Sequence, residues 1–339
     1  MYIIIPAYEP DQRLVDLVAT IRQQLRDAKV ILINDGSNQR YQPYFEGAEQ
    51  LGATLLSHSE NRGKGAALKT AFSYLLANGG ADKEDYLITI DSDGQHLVSD
   101  MLKVADAVKD KPSTLVLGCR AFVGDVPTRS RFGNMITAKL FGLVTGQALS
   151  DTQTGLRAMS THLLPWLLSL EGDRFEYEFN MLLEAKRANV TIEEVPIETI
   201  YLNHNEGSHF RPIRDSIRIY TPFLKFSGTA LTAAVADAAF LFLLMSVTNH
   251  LLLSVVLARV LSAGLQWSLN AQFVFNQGTS RPFRSLIRYF SLVLVLLACN
   301  FFLLQSLVGI GIGLALAKLV TETLLFILSY RVQRNVVFT

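Results

Sequence analysis

Cysteine is scarce in this chain, and neither sign of charge dominates it. The two cysteines among 339 residues, Cys119 and Cys299, lie far apart in sequence. Such spacing supports neither a disulfide framework nor a cluster of thiolate metal ligands. Lysine and arginine total 31 against 30 aspartates and glutamates, which leaves a formal net charge of +1. Because there is no basic surplus and no basic run interleaved with aromatic residues, we predict no nucleic-acid partner.

The first residues do not resemble a secretory signal peptide. The segment 1–10 (MYIIIPAYEP) has a short apolar run and no basic residue before it, unlike a signal peptide. We therefore expect the N-terminal part to stay in the cytosol. Charged residues concentrate in residues 1–225, whereas residues 226–339 are apolar. The predicted organisation is a soluble domain over 1–205, a juxtamembrane loop and interfacial helix over 206–225, and a membrane domain over 226–339.

Four apolar stretches in the C-terminal third are long enough to span hydrocarbon, which takes about 20 helical residues. They occupy residues 226–247, 251–275, 289–308 and 309–330. The links within each pair of stretches carry no Lys or Arg, whereas Arg281, Arg284 and Arg288 lie between the pairs. The positive-inside rule then predicts a multi-pass protein of the cytoplasmic (inner) membrane, with both termini and the soluble domain in the cytoplasm.

The membrane domain contains a weak repeat and a few charges. WSLNAQFVF (267–275) resembles YRVQRNVVF (330–338), which predicts two tandem helical hairpins. Four ionisable residues lie inside the apolar stretches: Asp237, Arg259, Lys318 and Glu322. Such residues usually face a partner or a cavity. We expect Lys318 to pair with Glu322 one turn later and Asp237 to pair with Arg259. Structural pairing and a polar path for a lipid head group both explain these charges.

Strands and helices alternate through the soluble domain. Apolar runs predict strands over residues 2–6, 29–35, 53–58, 86–91 and 114–118, and helices over 11–27 and 64–78. This alternation predicts an α/β, Rossmann-like domain with a mostly parallel sheet and helices on both faces. Ligands bind at the carboxyl ends of the strands in such sheets. Three predicted strand ends carry polar clusters: Pro6-Ala7-Tyr8-Glu9, Asp35-Gly36-Ser37 and Asp91-Ser92-Asp93.

Asp91 and Asp93 repel each other at the end of a buried strand unless a cation neutralises them. Mg²⁺ takes oxygen ligands and commonly joins one or two carboxylates to substrate phosphates. The pair therefore predicts a metal–diphosphate site. A polar turn with helix caps is the alternative interpretation of the same residues.

Five motifs, in this order and spacing, resemble those of family 2 glycosyltransferases of the GT-A fold. They are IPAYEP (5–10), INDGS (33–37), ENRGKGAAL (60–68), DSDGQH (91–96) and DTQTGLR (151–157). More narrowly, they are similar to the dolichol-phosphate-mannose-synthase branch, which makes polyprenyl-phosphate sugars. Residues 226–339 resemble the GtrA-like four-helix membrane domain, whose members are implicated in polyprenyl-linked sugar metabolism, often as proposed flippases. The resemblance implies a nucleotide-sugar donor, Mg²⁺ or Mn²⁺, and a polyprenyl phosphate acceptor in the membrane.

The same resemblance implies a role for each motif. The nucleotide-sugar would be bound by Pro6, Ala7, Tyr8, Glu9, Asp35, Arg62, Lys64, Asp91 and Arg211. The metal would be held by Asp91, Asp93 and Gln95. The acceptor phosphate would be bound by Arg120 and by either Arg129 or Arg131, whose planar guanidinium suits two-pronged phosphate binding. The catalytic set would be Asp151, Gln153 and Asp93. Solvated basic residues, and a structural turn at Asp151, are the alternatives.

Two further segments invite a functional interpretation. Phe175 and Tyr177, in a predicted helix over 175–187, would touch the sugar or the lipid, or else belong to the core. The loop 204–215 contains Arg211 and a glycine, and such a loop could close over the donor.

The acceptor chemistry shapes the expected mechanism. A phosphate monoester is largely a dianion at pH 7, so it needs positioning more than deprotonation. We therefore expect Asp151 to orient rather than to act as an obligatory base, and direct displacement predicts inversion. The family-level expectation is transfer of a hexose, glucose from a UDP-linked donor, to undecaprenyl phosphate. The alternatives are a glycosyltransferase with a saccharide hydroxyl acceptor, and a lipid-linked-sugar transporter (flippase) with a regulatory soluble domain. The sequence leaves a homo-oligomer open.

Overall fold

The computed structural model describes residues 1–79, 85–120, 128–198, 212–275 and 282–338. The chain divides into two compact units, Met1–Ile219 and Tyr220–Thr339. We refer to them as the first and the second unit.

A seven-stranded sheet forms the middle of the first unit. Its strands are β1 (Tyr2–Ala7), β2 (Lys29–Asn34), β3 (Thr54–Ser57), β4 (Tyr86–Thr89), β5 (Thr114–Arg120), β6 (Arg157–Ser160) and β7 (Thr191–Ile197). They lie in the order β3-β2-β1-β4-β6-β5-β7. Strand β6 runs antiparallel to β4 and β5, and the other neighbours pair in parallel. The predicted, mostly parallel α/β sheet is confirmed.

Helices flank this sheet. They are α1 (Gln12–Gln24), α2 (Gln42–Gln50), α3 (Lys64–Ala77), α4 (Val98–Val108), α5 (Thr128–Thr145), α6 (Leu164–Ser169) and α7 (Glu176–Ala185). Ile3 and Ile5 of β1 join a buried core with apolar residues of α1, α2 and α4. Ile4 is buried as well and faces the other side of the sheet, because side chains alternate along a strand. Strands buried on both faces explain the continuous apolar runs in the sequence.

The parallel pairing brings the predicted motifs to one edge of the sheet. Strand β1 lies between β2 and β4 in parallel register, so the residues that follow these three strands leave the sheet side by side. The Asp35 amide donates to the Ala7 carbonyl at 2.9 Å. The Glu9 amide donates to Ser37 Oγ at 2.8 Å. The three polar strand ends therefore meet, as sheets of this type require.

The second unit is helical. Its helices are α8 (Pro212–Thr248, which starts before the boundary between the units), α9 (Leu251–Leu269), α10 (Pro282–Gly309) and α11 (Leu314–Val332). Among the described residues, three segments are long and apolar enough to cross a membrane: Tyr220–Thr248, Leu251–Val274 and Pro282–Gly309. Helix α11 is not one of them, because Lys318, Glu322 and Arg331 lie within its 19 residues. The fourth span remains a prediction. The interfacial helix also remains a prediction, and residues 212–225 of that segment form the first part of α8.

The two helical hairpins, α8–α9 and α10–α11, repeat with an offset of 63 residues. Helix α9 begins at Leu251 and α11 at Leu314. Each is followed by a short π-helical turn, Asn270–Val274 and Gln333–Val337. Equivalent positions contact each other across the hairpins. Asn270 Nδ2 donates to Gln333 Oε1 at 2.8 Å, and the rings of Phe275 and Phe338 stack with centroids 4.8 Å apart.

The charged residues inside the apolar stretches are paired, as predicted. Arg259 lies 3.3 Å from Asp237, which also accepts a hydrogen bond from Ser262. Lys318 lies 2.5 Å from Glu322, which accepts a hydrogen bond from Asn300. Positions 237 and 259 are equivalent to 300 and 322 at the same offset of 63, so each hairpin holds one polar contact at the same place.

Candidate active site

The two carboxylates that follow β4 have different partners. Asp91 Oδ1 lies 2.7 Å from Lys64 Nζ, and Asp91 Oδ2 lies 4.0 Å from His96 Nε2. Asp93 Oδ1 accepts a hydrogen bond from the amide of the buried Gln95 at 3.1 Å. The DSDGQH motif therefore folds into a tight turn that keeps both carboxylates at the edge of the sheet.

These surroundings separate the pKa values of the two carboxylates. Burial raises the pKa of Asp91, but the Lys64 ammonium and other nearby positive charges outweigh burial and hold it below the ordinary value. Burial and the negative charge of Asp91 raise the pKa of Asp93 to about 6. Burial also lowers the pKa of His96, so its ring is neutral near pH 7. Asp91 is thus the firmly ionised member of the pair.

Lys64 bridges the DSDGQH turn to helix α7. Its ammonium lies 2.9 Å from Glu178 Oε2 as well as 2.7 Å from Asp91. Glu178 is buried, and Arg157 lies behind it, with Nε 3.7 Å from Glu178 Oε1. The sequence motifs gave no role to Glu178, and they included Arg157 only as the last residue of DTQTGLR. The available signal was the position of Glu178 on the same helix face as Met181 and Leu182, because an acidic residue on a buried face needs a buried partner.

Asp35 anchors the glycine-rich loop that leads into α3. Its Oδ1 accepts from the Arg62 amide at 2.9 Å and its Oδ2 from the Gly63 amide at 2.8 Å. His58 Nδ1 also lies 2.7 Å from Oδ1. A carboxylate with these partners holds the loop in place, and the predicted contact to the base would be made by a side chain that is already fixed.

Two glycines allow the close approach that this site needs. A Cβ on Gly155 would lie 2.2 Å from Asp91 Oδ2. A Cβ on Gly65 would lie 2.5 Å from the Cβ of Tyr177. The DTQTGLR motif thus covers the Asp91 carboxylate with bare backbone, and the first turn of α3 packs directly on α7.

The predicted acceptor arginine and the predicted catalytic aspartate are joined. Arg120 Nε lies 2.6 Å from Asp151 Oδ2, and Arg120 Nη2 lies 2.9 Å from Asp151 Oδ1. The Gln153 amide also donates to Asp151 Oδ1, at 3.0 Å. Asp151 is fully buried. Its carboxylate therefore fixes the direction in which the guanidinium points.

The remaining predicted residues occupy varied positions. Pro6 and Ala7 are buried in β1, whereas Tyr8 and Glu9 are half-buried and Arg62 is exposed. Arg129 and Arg131 belong to α5, but their side chains lie outside the described residues, as does the whole of Arg211.

Phe175 and Tyr177, the two aromatic residues of interest in the predicted helix 175–187, have different environments. Tyr177 is buried, and its hydroxyl donates to the Leu167 carbonyl at 2.8 Å. It therefore belongs to the core, which was one of the two alternatives for this residue. Phe175 directly precedes α7 and is half-buried.

The donor atoms at this site suit a hard divalent cation. No group of three His, Cys, Asp or Glu side chains is arranged to hold a metal ion within the described parts of the chain. Asp91 and Asp93 instead offer carboxylate oxygens on one turn, next to Gln95. Mg²⁺ and Mn²⁺ accept oxygen ligands of this kind and are commonly completed by substrate phosphates and water. The residues fit such an ion together with a diphosphate.

Comparison with known families matches both units of the chain. Residues 2–164 match Glycosyl transferase family 2, and residues 225–338 match the GtrA/DPMS transmembrane domain. The chain therefore carries a family 2 glycosyltransferase domain followed by a GtrA/DPMS transmembrane domain. The family resemblance of the sequence motifs is confirmed, and the seven-stranded sheet has the α/β architecture that it implied.

Several relatives have sugar-transferase names. UDP-N-acetylglucosamine–dolichyl-phosphate N-acetylglucosaminyltransferase of Methanococcus voltae is 27% identical over 60% of this chain and 87% of its own. Dolichyl-phosphate beta-glucosyltransferase of Saccharomyces cerevisiae is 26% identical over 64% of this chain and 71% of its own. Undecaprenyl-phosphate mannosyltransferase of Micrococcus luteus is 24% identical over 57% of this chain and 81% of its own. These three relatives share a polyprenyl phosphate acceptor in their names, while the sugar differs.

Proposed function

We propose that this protein transfers a hexose from a nucleotide-sugar to a polyprenyl phosphate at the cytoplasmic face of the inner membrane. The observation that carries the proposal is the meeting of three strand ends, where Asp91 and Asp93 lie beside the glycine-rich loop held by Asp35. The names of the relatives support a polyprenyl phosphate acceptor. The charge distribution around the apolar stretches supports a cytoplasmic catalytic unit with both termini on the same side.

The donor would lie across this edge of the sheet. Residues 6–9 and Asp35 would border the nucleoside, and Lys64 and Arg62 would face the diphosphate at the start of α3, where the helix dipole favours anions. Asp91, Asp93 and Gln95 would hold Mg²⁺ or Mn²⁺, which would stabilise the negative charge of the departing diphosphate. Arg211, which lies outside the described residues, stays a predicted donor contact.

The acceptor phosphate would approach the anomeric carbon from the side of Arg120. Asp151 orients this guanidinium through two hydrogen bonds, and either Arg129 or Arg131 would add a second positive charge. Because both oxygens of Asp151 already accept hydrogen bonds, the residue suits orientation better than proton abstraction. A phosphate dianion needs no base, so the geometry favours a phosphate over a saccharide hydroxyl. Direct displacement gives inversion.

The sugar is the least constrained part of the proposal. UDP-glucose is our first choice of donor, because one relative is named a glucosyltransferase and another is named for a UDP-sugar. The domain organisation that we propose keeps the boundaries stated above: catalytic residues 1–205, a connecting segment 206–225 and a membrane domain 226–339.

The test is sugar transfer to undecaprenyl phosphate by the full chain in detergent. Radiolabelled UDP- and GDP-sugars would be offered with Mg²⁺ or Mn²⁺, and lipid label would be counted. We expect label from one donor, lost with EDTA and in Asp93→Asn. Asp106→Asn is the matched control, because Asp106 forms an exposed pair with Lys109 in α4, and it should keep full activity. Donor binding without label in any lipid, or label transferred to a saccharide instead, would refute the proposal.

A further inference from the structure

Lys64 occupies the position from which a cation would neutralise Asp91. Its ammonium lies 2.7 Å from Asp91 Oδ1 and 2.9 Å from Glu178 Oε2. The side chain is 13% exposed, so it is held between two carboxylates with little access for water. A lysine expected to bind the donor diphosphate is therefore engaged elsewhere before any donor arrives.

A divalent ion at Asp91 would compete with this ammonium. Both would use carboxylate oxygens of the same residue, and two positive charges a few ångströms apart repel strongly in a partly buried site. Lys64 must then move away from Asp91 when the ion binds. A buried ammonium that leaves Asp91 still needs a negative partner at its new position.

Glu178 provides that destination. Its Oε2 already contacts Lys64, and its Oε1 is buried and has no hydrogen-bond partner among the described residues. Arg157 Nε lies 3.7 Å from Oε1, which is too long for a hydrogen bond. An ammonium has three N–H donors, so Lys64 can satisfy this second oxygen after it leaves Asp91.

We propose that Lys64 is the resident counter-ion of Asp91, and that it exchanges Asp91 for Glu178 and the donor diphosphate when a divalent cation binds. Glu178 is then a positioning residue that acts through Lys64. This inference rests on the proposed function, because it assigns the order in which that site exchanges its cations.

The exchange predicts opposite effects of two substitutions on metal affinity. Lys64→Met removes the competing positive charge, so a divalent ion should bind more tightly when no nucleotide is present. Glu178→Gln removes the negative charge that receives Lys64, so the ammonium stays on Asp91 and a divalent ion should bind more weakly. A purely structural role of the Lys64–Glu178 pair would weaken binding in both variants.

The experiment is a titration of the full chain in detergent with Mn²⁺ alone, in which the electron paramagnetic resonance signal of the free ion measures binding. We expect Lys64→Met to tighten Mn²⁺ binding by about tenfold, as removal of one nearby charge in a partly buried site allows. Glu178→Gln should weaken it several-fold. Lys69→Met is the matched control: Lys69 is also on α3, but it pairs with the exposed Asp173, and its loss should leave Mn²⁺ affinity unchanged.

Thermal unfolding of each variant in the same detergent distinguishes altered affinity from an altered fold. Unchanged or weaker Mn²⁺ binding by a folded Lys64→Met protein overturns the inference, and so does a wild-type protein that binds no Mn²⁺ with or without UDP or GDP. If the opposite shifts appear but no sugar reaches undecaprenyl phosphate, the exchange stands and the proposed acceptor is wrong. The two failures are thereby separated.

Discussion

Asp91 and Asp93 are two residues apart, yet their surroundings shift the pKa values of their carboxyl groups in opposite directions. Lys64 stabilises the ionised form of Asp91, while burial and the charge of Asp91 raise the pKa of Asp93 to about 6. A carboxyl whose folded pKa lies above its ordinary value near 3.8 destabilises the folded state when it is ionised. That destabilisation is complete above pH 6 and disappears as the pH falls toward the ordinary value.

Asp93→Asn should therefore raise the thermal stability of the metal-free protein. The gain should be larger at pH 7.5 than at pH 5, because the replaced carboxylate is ionised only at the higher pH. Asp91→Asn should lower stability at pH 7.5, since it removes one of the two negative partners of the buried Lys64 ammonium. Thermal unfolding in detergent with EDTA measures both. Equal losses for the two variants would contradict the assigned environments.

Asp151 offers a second prediction at the scale of single residues. Breaking a buried, two-pronged ion pair typically costs about 3–5 kcal/mol, and Asp151→Asn weakens the pair with Arg120. We expect both a lower unfolding temperature and a lower transfer rate. An unfolding temperature near that of the wild type would contradict the assigned ion pair.

The residues of the site divide into those that local sequence reveals and those that it does not. Asp91, Asp93 and Asp35 follow apolar runs, so the strand pattern alone places them at the functional edge. Glu178 contacts Lys64 across 114 positions of the chain, and only the packing of α7 on α3 brings them together. The same holds for His58, whose two ring nitrogens contact Asp35 and Thr70. Long-range polar pairs of this kind leave no periodic signal.

At the scale of elements, the start of α3 depends on a missing side chain. Gly65 lies against the Cβ of Tyr177 and the backbone of residue 173, so Gly65→Ala forces α3 and α7 apart. Overpacking of this kind typically costs about 1–3 kcal/mol. Gly142→Ala in α5 is the control, because among the described residues its added methyl would meet only the Gln147 carbonyl, at 3.6 Å. Unfolding in denaturant should show a loss for the first variant and none for the second.

The bounds of a helix or strand were predictable from the sequence where its pattern of apolar residues begins and ends. The expected helix 64–78 is Lys64–Ala77, and the expected strand 29–35 is Lys29–Asn34. The division between the interfacial helix and the first span was drawn where charges give way to apolar residues, but α8 runs through that point. Backbone hydrogen bonds continue across a change in polarity, since they do not depend on which side chains face water or lipid.

At the scale of the whole molecule, the second unit should be stabilised by contacts between its repeated positions. Asn270 and Gln333 are buried and hydrogen-bonded to each other. Polar pairs between membrane helices contribute about 0.6 kcal/mol on average, up to about 1.7. Alanine at either position should lower the unfolding temperature, and the double variant should lose less than the sum of the two. Strict additivity would show that the pair is not coupled.

The repeat at an offset of 63 residues determines which residues hold the two hairpins of the second unit together. Asn270 meets its own counterpart, Gln333, and Phe275 meets Phe338. Contacts in which a position touches its own copy are those of a twofold homodimer. The unit therefore has the construction of a dimer of hairpins fused into a single polypeptide. The covalent connection between the hairpins fixes the partner of each, while the affinity between them resides in the repeated positions themselves.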